Sequence, residues 1–129
     1  MRELTEHIVN PANDKLHIRV LDNPGQGGAC HRYEVSGYEP VSNSSMQGDD
    51  RSTCTILFQN GPINELGVNG ITHEVLLAIL AARLRSFQAG QYACRENAVA
   101  LTHIETAQMW LQKRTRDRMA RGVEGTHTA

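Results

Sequence analysis

The sequence predicts an α+β fold: a small N-terminal antiparallel β-sheet followed by a long antiparallel helical hairpin, in an oligomer. Three observations carry this. All four prolines, Pro11, Pro24, Pro40 and Pro62, lie in the first half of the 129-residue chain. Ahead of Ile63, apolar residues alternate with polar ones at period two, the pattern of half-buried strands. Beyond Thr72 they recur at steps of three and four, the pattern of one face of a helix. The length is that of one domain, so separate cofactor and substrate lobes are not expected. Within it a β-rich region, 1–66, precedes a helical hairpin with a C-terminal tail, 67–129.

Each element follows in order. Leu16-His-Ile-Arg-Val-Leu21 and His31-Arg-Tyr-Glu-Val-Ser-Gly-Tyr38 alternate, and Thr53-Cys-Thr-Ile-Leu-Phe-Gln59 is rich in β-branched and aromatic residues, which gives three strands. The turn-formers Asp22-Asn-Pro-Gly-Gln-Gly-Gly28 are short enough to join the first two as an antiparallel hairpin, and Pro40–Asp50 is a longer connection. Thr72 is the expected N-cap of the first helix, with Glu74 in the first turn to meet the positive pole of the dipole. Leu76, Ile79, Leu80, Leu84 and Phe87 supply an apolar face until Ala89-Gly90. A second helix is expected from Ala93 to Ala120, stopping at Gly122. At about 1.5 Å per residue it would be about 42 Å long, against about 35 Å for the diameter of a compact domain of this size. Such a hairpin overhangs its own domain, and cover from another subunit is expected.

Composition removes several classes. With 40% hydrophobic residues, six aromatics and a net charge of −1, this is an ordinary globular composition. The balance is uneven: residues 1–70 carry about −4 and residues 71–121 about +4. Bulk charge excludes a generic nucleic-acid binder and leaves room for a local anion site in the second half. The charged N-terminus has no apolar signal region, and the longest apolar run, Val75–Ala82, is far short of the roughly 20 residues that span a bilayer. Cys30, Cys54 and Cys94 form no CxxC pair, as expected of reduced thiols in a cytosol.

Several constellations are weak. Pro24-Gly-Gln-Gly-Gly28 lacks the Gly-Lys-Ser/Thr ending of a phosphate loop and leads into a strand, so it reads as a hairpin loop. His7, His17, His31, His73, His103 and His127 show no metal-ligand spacing, and neither a metal nor another cofactor is expected. Cys94 has no His or Lys within one turn to complete a nucleophile pair, and a buried structural thiol is expected there.

The informative segment is Met109–Arg121. On a helix, Trp110, Arg114, Arg118 and Arg121 share one stripe, an aromatic plane one turn from a ladder of guanidiniums. Guanidinium forks bind phosphate oxygens and aromatic faces stack on bases, which suits a nucleotide. A solvated basic helix end at the negative dipole pole accounts for the same spacing. Around the turn between the helices stand Phe87, Arg95 and Asn97, an aromatic, a cation and an amide beside a helix N-terminus. Phe87 as a last core residue and Asn97 as a capping residue account for these equally. About 17–21 helical residues separate the two sets, roughly 25–35 Å, so one small ligand reaches both only if two subunits contribute.

Residues Gly67-Val-Asn-Gly-Ile-Thr72, Phe87–Ala98, Met109–Arg118 and Arg121-Gly-Val-Glu-Gly-Thr126 resemble the helical hairpin of phage counter-defence sponges. That hairpin is shared by the first Thoeris anti-defence family and a smaller anti-CBASS family; a β region before it, as here, resembles the former. The resemblance spans about half the chain. It implies a non-enzymatic protein in the cytoplasm of the infected host that sequesters cyclic ADP-ribose isomers (glycocyclic ADP-ribose) without cleaving them. It also implies a homodimer or hexamer with pockets at dimer interfaces, and in some relatives a second site for CBASS cyclic di- or trinucleotides. Carried over, Phe87 and Asn97 would surround base and ribose, with Arg114 and Arg118 toward the pyrophosphate. A phosphodiesterase or hydrolase of the same signals, and a nucleic-acid-binding regulator, are the competing functions; no stable nucleic-acid or membrane partner is expected.

Overall fold

The computed structural model describes residues 2–48 and 51–126; His127 and the end of the 40–50 connection, Asp49 and Asp50, lie outside them. The chain forms two compact units, Met1–Asn60 and Gly61–Ala129.

The first unit is a four-stranded antiparallel meander, β1 (Arg2–Leu4), β2 (His17–Val20), β3 (Arg32–Ser36) and β4 (Thr53–Leu57), in the order β1-β2-β3-β4. A single-turn helix, α1 (Pro11–Asp14), connects β1 to β2. The three strands expected from alternation and from β-branched enrichment are present; β1 adds an edge that three residues, two of them charged, are too short to announce by pattern. Register aligns Leu4 with Ile18, Ile18 with Val35 and Val35 with Cys54, and Val20 with Tyr33 and Tyr33 with Ile56. These residues share one face, where Val20 is 2% exposed and Phe58 meets the Tyr33 ring edge-on at 5.8 Å. The opposite face carries Glu3, His17, Arg19 and Glu34, with His17 3.5 Å from Glu3 and Arg19 3.9 Å from Glu34. Alternation in β2 therefore maps directly onto burial: His17 and Arg19 exposed, Ile18 half-buried, Val20 buried.

The β2–β3 connection is closed by Asp22. Its carboxylate accepts from the backbone N–H of His31 (2.9 Å) and of Arg32 (3.1 Å), while Gly25 N donates to Ala29 O across the turn (2.8 Å). The glycine-rich stretch thus serves as a hairpin loop in which the Gly25 and Gly28 amides are engaged internally. At the far end of the hairpin, Gly37 has φ +91, and a Cβ there would overlap the Lys15 carbonyl oxygen, so only glycine fits.

The second unit is the helical hairpin. A short helix, α2 (Ile63–Leu66), leads into α3 (His73–Gln88) and α4 (Arg95–Ala120). Thr72 caps α3, its Oγ1 accepting from Val75 N at 3.4 Å, and Glu74 stands in the first turn. Gln88 closes the tip by accepting from Cys94 N through Oε1 at 3.0 Å. Cys94, expected to be buried, is exposed: it is the N-cap of α4, its sulfur accepting from Asn97 N at 3.4 Å, so the thiol stands outside the helix it starts. The seam runs through Ala81, 5% exposed, with Leu77, Leu84, Leu101, Ile104, Gln108 and Leu111 half-buried around it. It is tied on one side by the Arg85–Glu105 ion pair at 2.8 Å. The apolar face of α3 is wider than this seam, leaving Ile79 (54%) and Leu80 (46%) open. Among the described residues no helix is long and apolar enough to cross a membrane.

Backbone N–H donation from His31 to Asp22, ahead of every other influence, holds that carboxyl below the usual aspartate range. A lowered folded-state value means stability that is present above about pH 4 and is lost as pH falls through the folded value. Asp22→Asn is expected to lower the thermal midpoint at pH 7. The gap to wild type should close as the titration proceeds into acid, and a gap that persists unchanged there contradicts this assignment.

Candidate functional site

α4 is one unbroken helix from Arg95 to Ala120, and the candidate residues fall into two groups, one at each of its ends. At the N-terminal end stands an aromatic cluster. The Phe87 ring meets Tyr92 edge-on at 6.4 Å and 83°, and the Arg83 guanidinium lies 5.6 Å from its centroid. Asn97 is half-buried in the first turn of α4, its N–H taken by the Cys94 cap, and Arg95 is exposed beside it. Phe87 remains 37% exposed and Tyr92 67%, so this end of the hairpin presents aromatic surface with a cation and an amide at its margin.

At the C-terminal end, Trp110, Lys113, Arg114, Asp117, Arg118 and Arg121 line an open concavity of about 350 Å³. Steps of four, four and three bring the four expected residues onto one wall, as helical geometry requires. Lys113 and Asp117 form an i,i+4 pair at 2.6 Å. Four cations against one lining carboxylate make the concavity electropositive, and the negative pole of the dipole favours Arg118 and Arg121 at the helix end. Trp110 is 61% exposed, an aromatic plane beside guanidiniums.

The arginines are not alike. Arg114 is exposed, whereas Arg118 is 7% exposed and turned into the chain's own C-terminal turn. Its Nε donates to Glu124 Oε2 at 3.1 Å, and its Nη2 donates to the carbonyls of Val123 (2.9 Å) and Thr126 (3.2 Å). The turn arises from a left-handed Gly122 (φ +73) after Arg121, with Gly122 N donating to Met119 O and Val123 N to Arg118 O, the Schellman arrangement.

The two groups are far apart. Seventeen residues of continuous helix between Asn97 and Arg114 correspond to about 25 Å, so within one chain Phe87 and Asn97 do not meet Arg114 and Arg118 around a small molecule. Among the described residues no cluster of His, Cys, Asp and Glu is arranged to hold a metal ion.

Residues 50–116, from just before β4 to the middle of the arginine stripe, match the family model of the Acb2/Tad1 hairpin domain. The chain belongs to the Acb2/Tad1 hairpin family. Over 120 residues, 93% of the chain, it is 53% identical to Thoeris anti-defense 1 of Bacillus phage SBSphiJ7, and the alignment covers 76% of that relative. The Acb2/Tad1 match contains Phe87, Asn97 and Arg114; Arg118, Arg121 and the turn carrying Glu124 follow it.

Reasoning from the sequence missed four participants. Lys113 and Asp117 line the concavity but lie off the counted stripe, and helical spacing was signal enough to find them. Arg83 stands one turn before Phe87, so its contact was likewise readable from i,i+4 spacing. Glu124 lies beyond the helix stop, where no periodicity applies.

The contrast between the arginines gives a stability test. Arg118→Ala strips a buried guanidinium from a carboxylate and two carbonyls and should cost about 2 kcal/mol, whereas Arg114→Ala at an exposed position should change stability by less than about 0.5 kcal/mol. Chemical denaturation of the two variants beside wild type measures the difference.

Proposed function

We propose that this protein is a phage counter-defence sponge that binds and sequesters cyclic ADP-ribose isomers, such as glycocyclic ADP-ribose made by Thoeris TIR proteins, without degrading them. It would act in the cytoplasm of the infected host. The observation that carries this reading is the pair of groups at the two ends of α4: the exposed Phe87 of α3 beside Asn97 at one end, and Trp110 with an arginine ladder at the other. Together they offer stacking surfaces for a base and forks for a pyrophosphate. Membership of the Acb2/Tad1 hairpin family and the name of its phage relative, Thoeris anti-defense 1, support the same reading.

In this reading Phe87 and Asn97 of one protomer face Arg114 and Arg118 of another, with Arg95, Trp110 and Arg121 at the margins. The separation along α4 makes two chains necessary, and the uncovered Val75, Ile79, Leu80, Val99 and Met109 give a second copy apolar surface to cover. Magnitudes favour an interface pocket. A sponge that outcompetes its effector needs binding near 1 nM, about −12 kcal/mol. Two arginines supply roughly 3–6 kcal/mol and stacking roughly 1–3, before the costs of association. The remainder must come from desolvation in a site that two chains enclose. The assembly would be a homodimer or a hexamer built from such dimers, and a separate site would take CBASS cyclic di- or trinucleotides.

The deciding experiment incubates glycocyclic ADP-ribose with the protein, removes unbound signal, heat-denatures the complex and analyses what is released. Intact signal is expected; cleaved product would establish a hydrolase instead, and duplex or single-strand binding that falls steeply with salt would favour a nucleic-acid regulator. Arg114→Ala should weaken signal binding about 100-fold by calorimetry with the oligomeric mass unchanged, because it removes charge-assisted bonds from an exposed position. Wild-type affinity in that variant would remove the arginine ladder from the site.

A further inference from the structure

The C-terminal turn sets a carboxylate against one of the arginines of the ladder, and backbone bonds that do not involve the ion pair put it there. Gly122 N and Val123 N return the chain onto Met119 and Arg118, and Asn64 of α2 holds the other side, its backbone N donating to Gly125 O (3.2 Å) and its Nδ2 to Glu124 O (3.4 Å). Gly125 suits that contact: its φ of +80 is one that side-chain-bearing residues rarely adopt, and a Cβ would press on Asn64 Oδ1 at 2.9 Å. Glu124 is thereby presented to Arg118 by a turn fastened at both ends, its carboxylate 3.1 Å from Nε with the side chain 36% exposed.

A carboxylate on a guanidinium uses the same donor geometry as a phosphate oxygen on a guanidinium. Arg118 also lines the electropositive concavity. We propose that Glu124 is an internal counter-anion of this site: it holds the Arg118 guanidinium in place and competes with any phosphate group that enters, so it sets the anion affinity of the concavity. This rests on the reading above that the concavity receives phosphates. The chemical class recognised is a pyrophosphate or phosphodiester, and Glu124 is a positioning residue that need not touch it.

Glu124→Gln separates the two roles, because the amide oxygen still accepts from Nε while the competing charge is gone. Calorimetric titration with inorganic pyrophosphate is expected to give about fivefold tighter binding in Glu124→Gln than in wild type, with a steeper fall of affinity against salt. A residue that only stabilised the turn would lower the thermal midpoint and leave pyrophosphate affinity unchanged or weaker; that result, or absence of pyrophosphate binding in both proteins, overturns the proposal. In wild-type protein, independent of how the variant folds, pyrophosphate should shift the Arg118 Nε–H resonance and speed its exchange with solvent, and an unmoved resonance likewise overturns it. The same titrations with glycocyclic ADP-ribose keep the two readings apart: a gain for pyrophosphate in a protein that ignores the cyclic signal would leave Glu124 its role and remove the sponge.

Discussion

A straight α-helix advances about 1.5 Å per residue, and nothing in a side chain can shorten that. α4 is 26 residues long and without a break, so it extends about 39 Å and holds its two chemically distinct ends apart. Everything proposed for the site follows from this. An aromatic and an amide at one end and guanidiniums at the other become a single nucleotide pocket only when a second chain brings the complementary end alongside. On the proposed reading, the separation that keeps one protomer from binding alone makes association a precondition of binding.

The ends also differ in electrostatics for a common reason. Backbone N–H groups are unsatisfied at the start of a helix and carbonyls at its finish. At the start, the Cys94 sulfur and the Gln88 amide take up backbone donors, with Glu96 in the first turn. At the finish, the negative pole favours Arg118 and Arg121, Lys113 and Arg114 stand a turn before them, and two carboxylates offset part of this charge, Asp117 on Lys113 and Glu124 on Arg118. The Schellman turn at Gly122 does more than stop the helix. By returning the chain onto Arg118 it partly offsets the positive charge of the concavity, with one arginine engaged internally and another exposed.

Much of this was legible in the residues because it obeys local periodicity. Alternation in His17–Val20 reported the buried face of the sheet, Thr72 with Glu74 located the start of α3, and Gly122 its successor's end. The arginine stripe followed from steps of three and four. What escaped obeyed no period. β1 is three residues held by pairing with β2, a non-local cause. The expected start at Ala93 places Cys94 inside the helix, whereas α4 begins at Arg95 and leaves Cys94 in extended backbone as its cap. Glu124 reaches Arg118 only because a left-handed glycine reverses the chain, and the spacing of six residues between them carries no helical meaning.

The apolar seam supplies the remaining step. Within α3 and α4 only Ala81 and Arg118 are buried, and one of those two is a charge. A hairpin whose Val75, Ile79, Leu80, Val99 and Met109 stay 41–54% exposed has not finished burying its apolar surface. At about 25 cal/mol per Å² those side chains represent several kcal/mol of stabilisation still to be realised, comparable to the whole stability of a small domain. On the proposed reading a second copy realises it, and in doing so brings the far end of its own α4 to the aromatic cluster. Stability and ligand recognition would then draw on the same contact, and a chain of this size would gain by association a pocket it could not enclose alone.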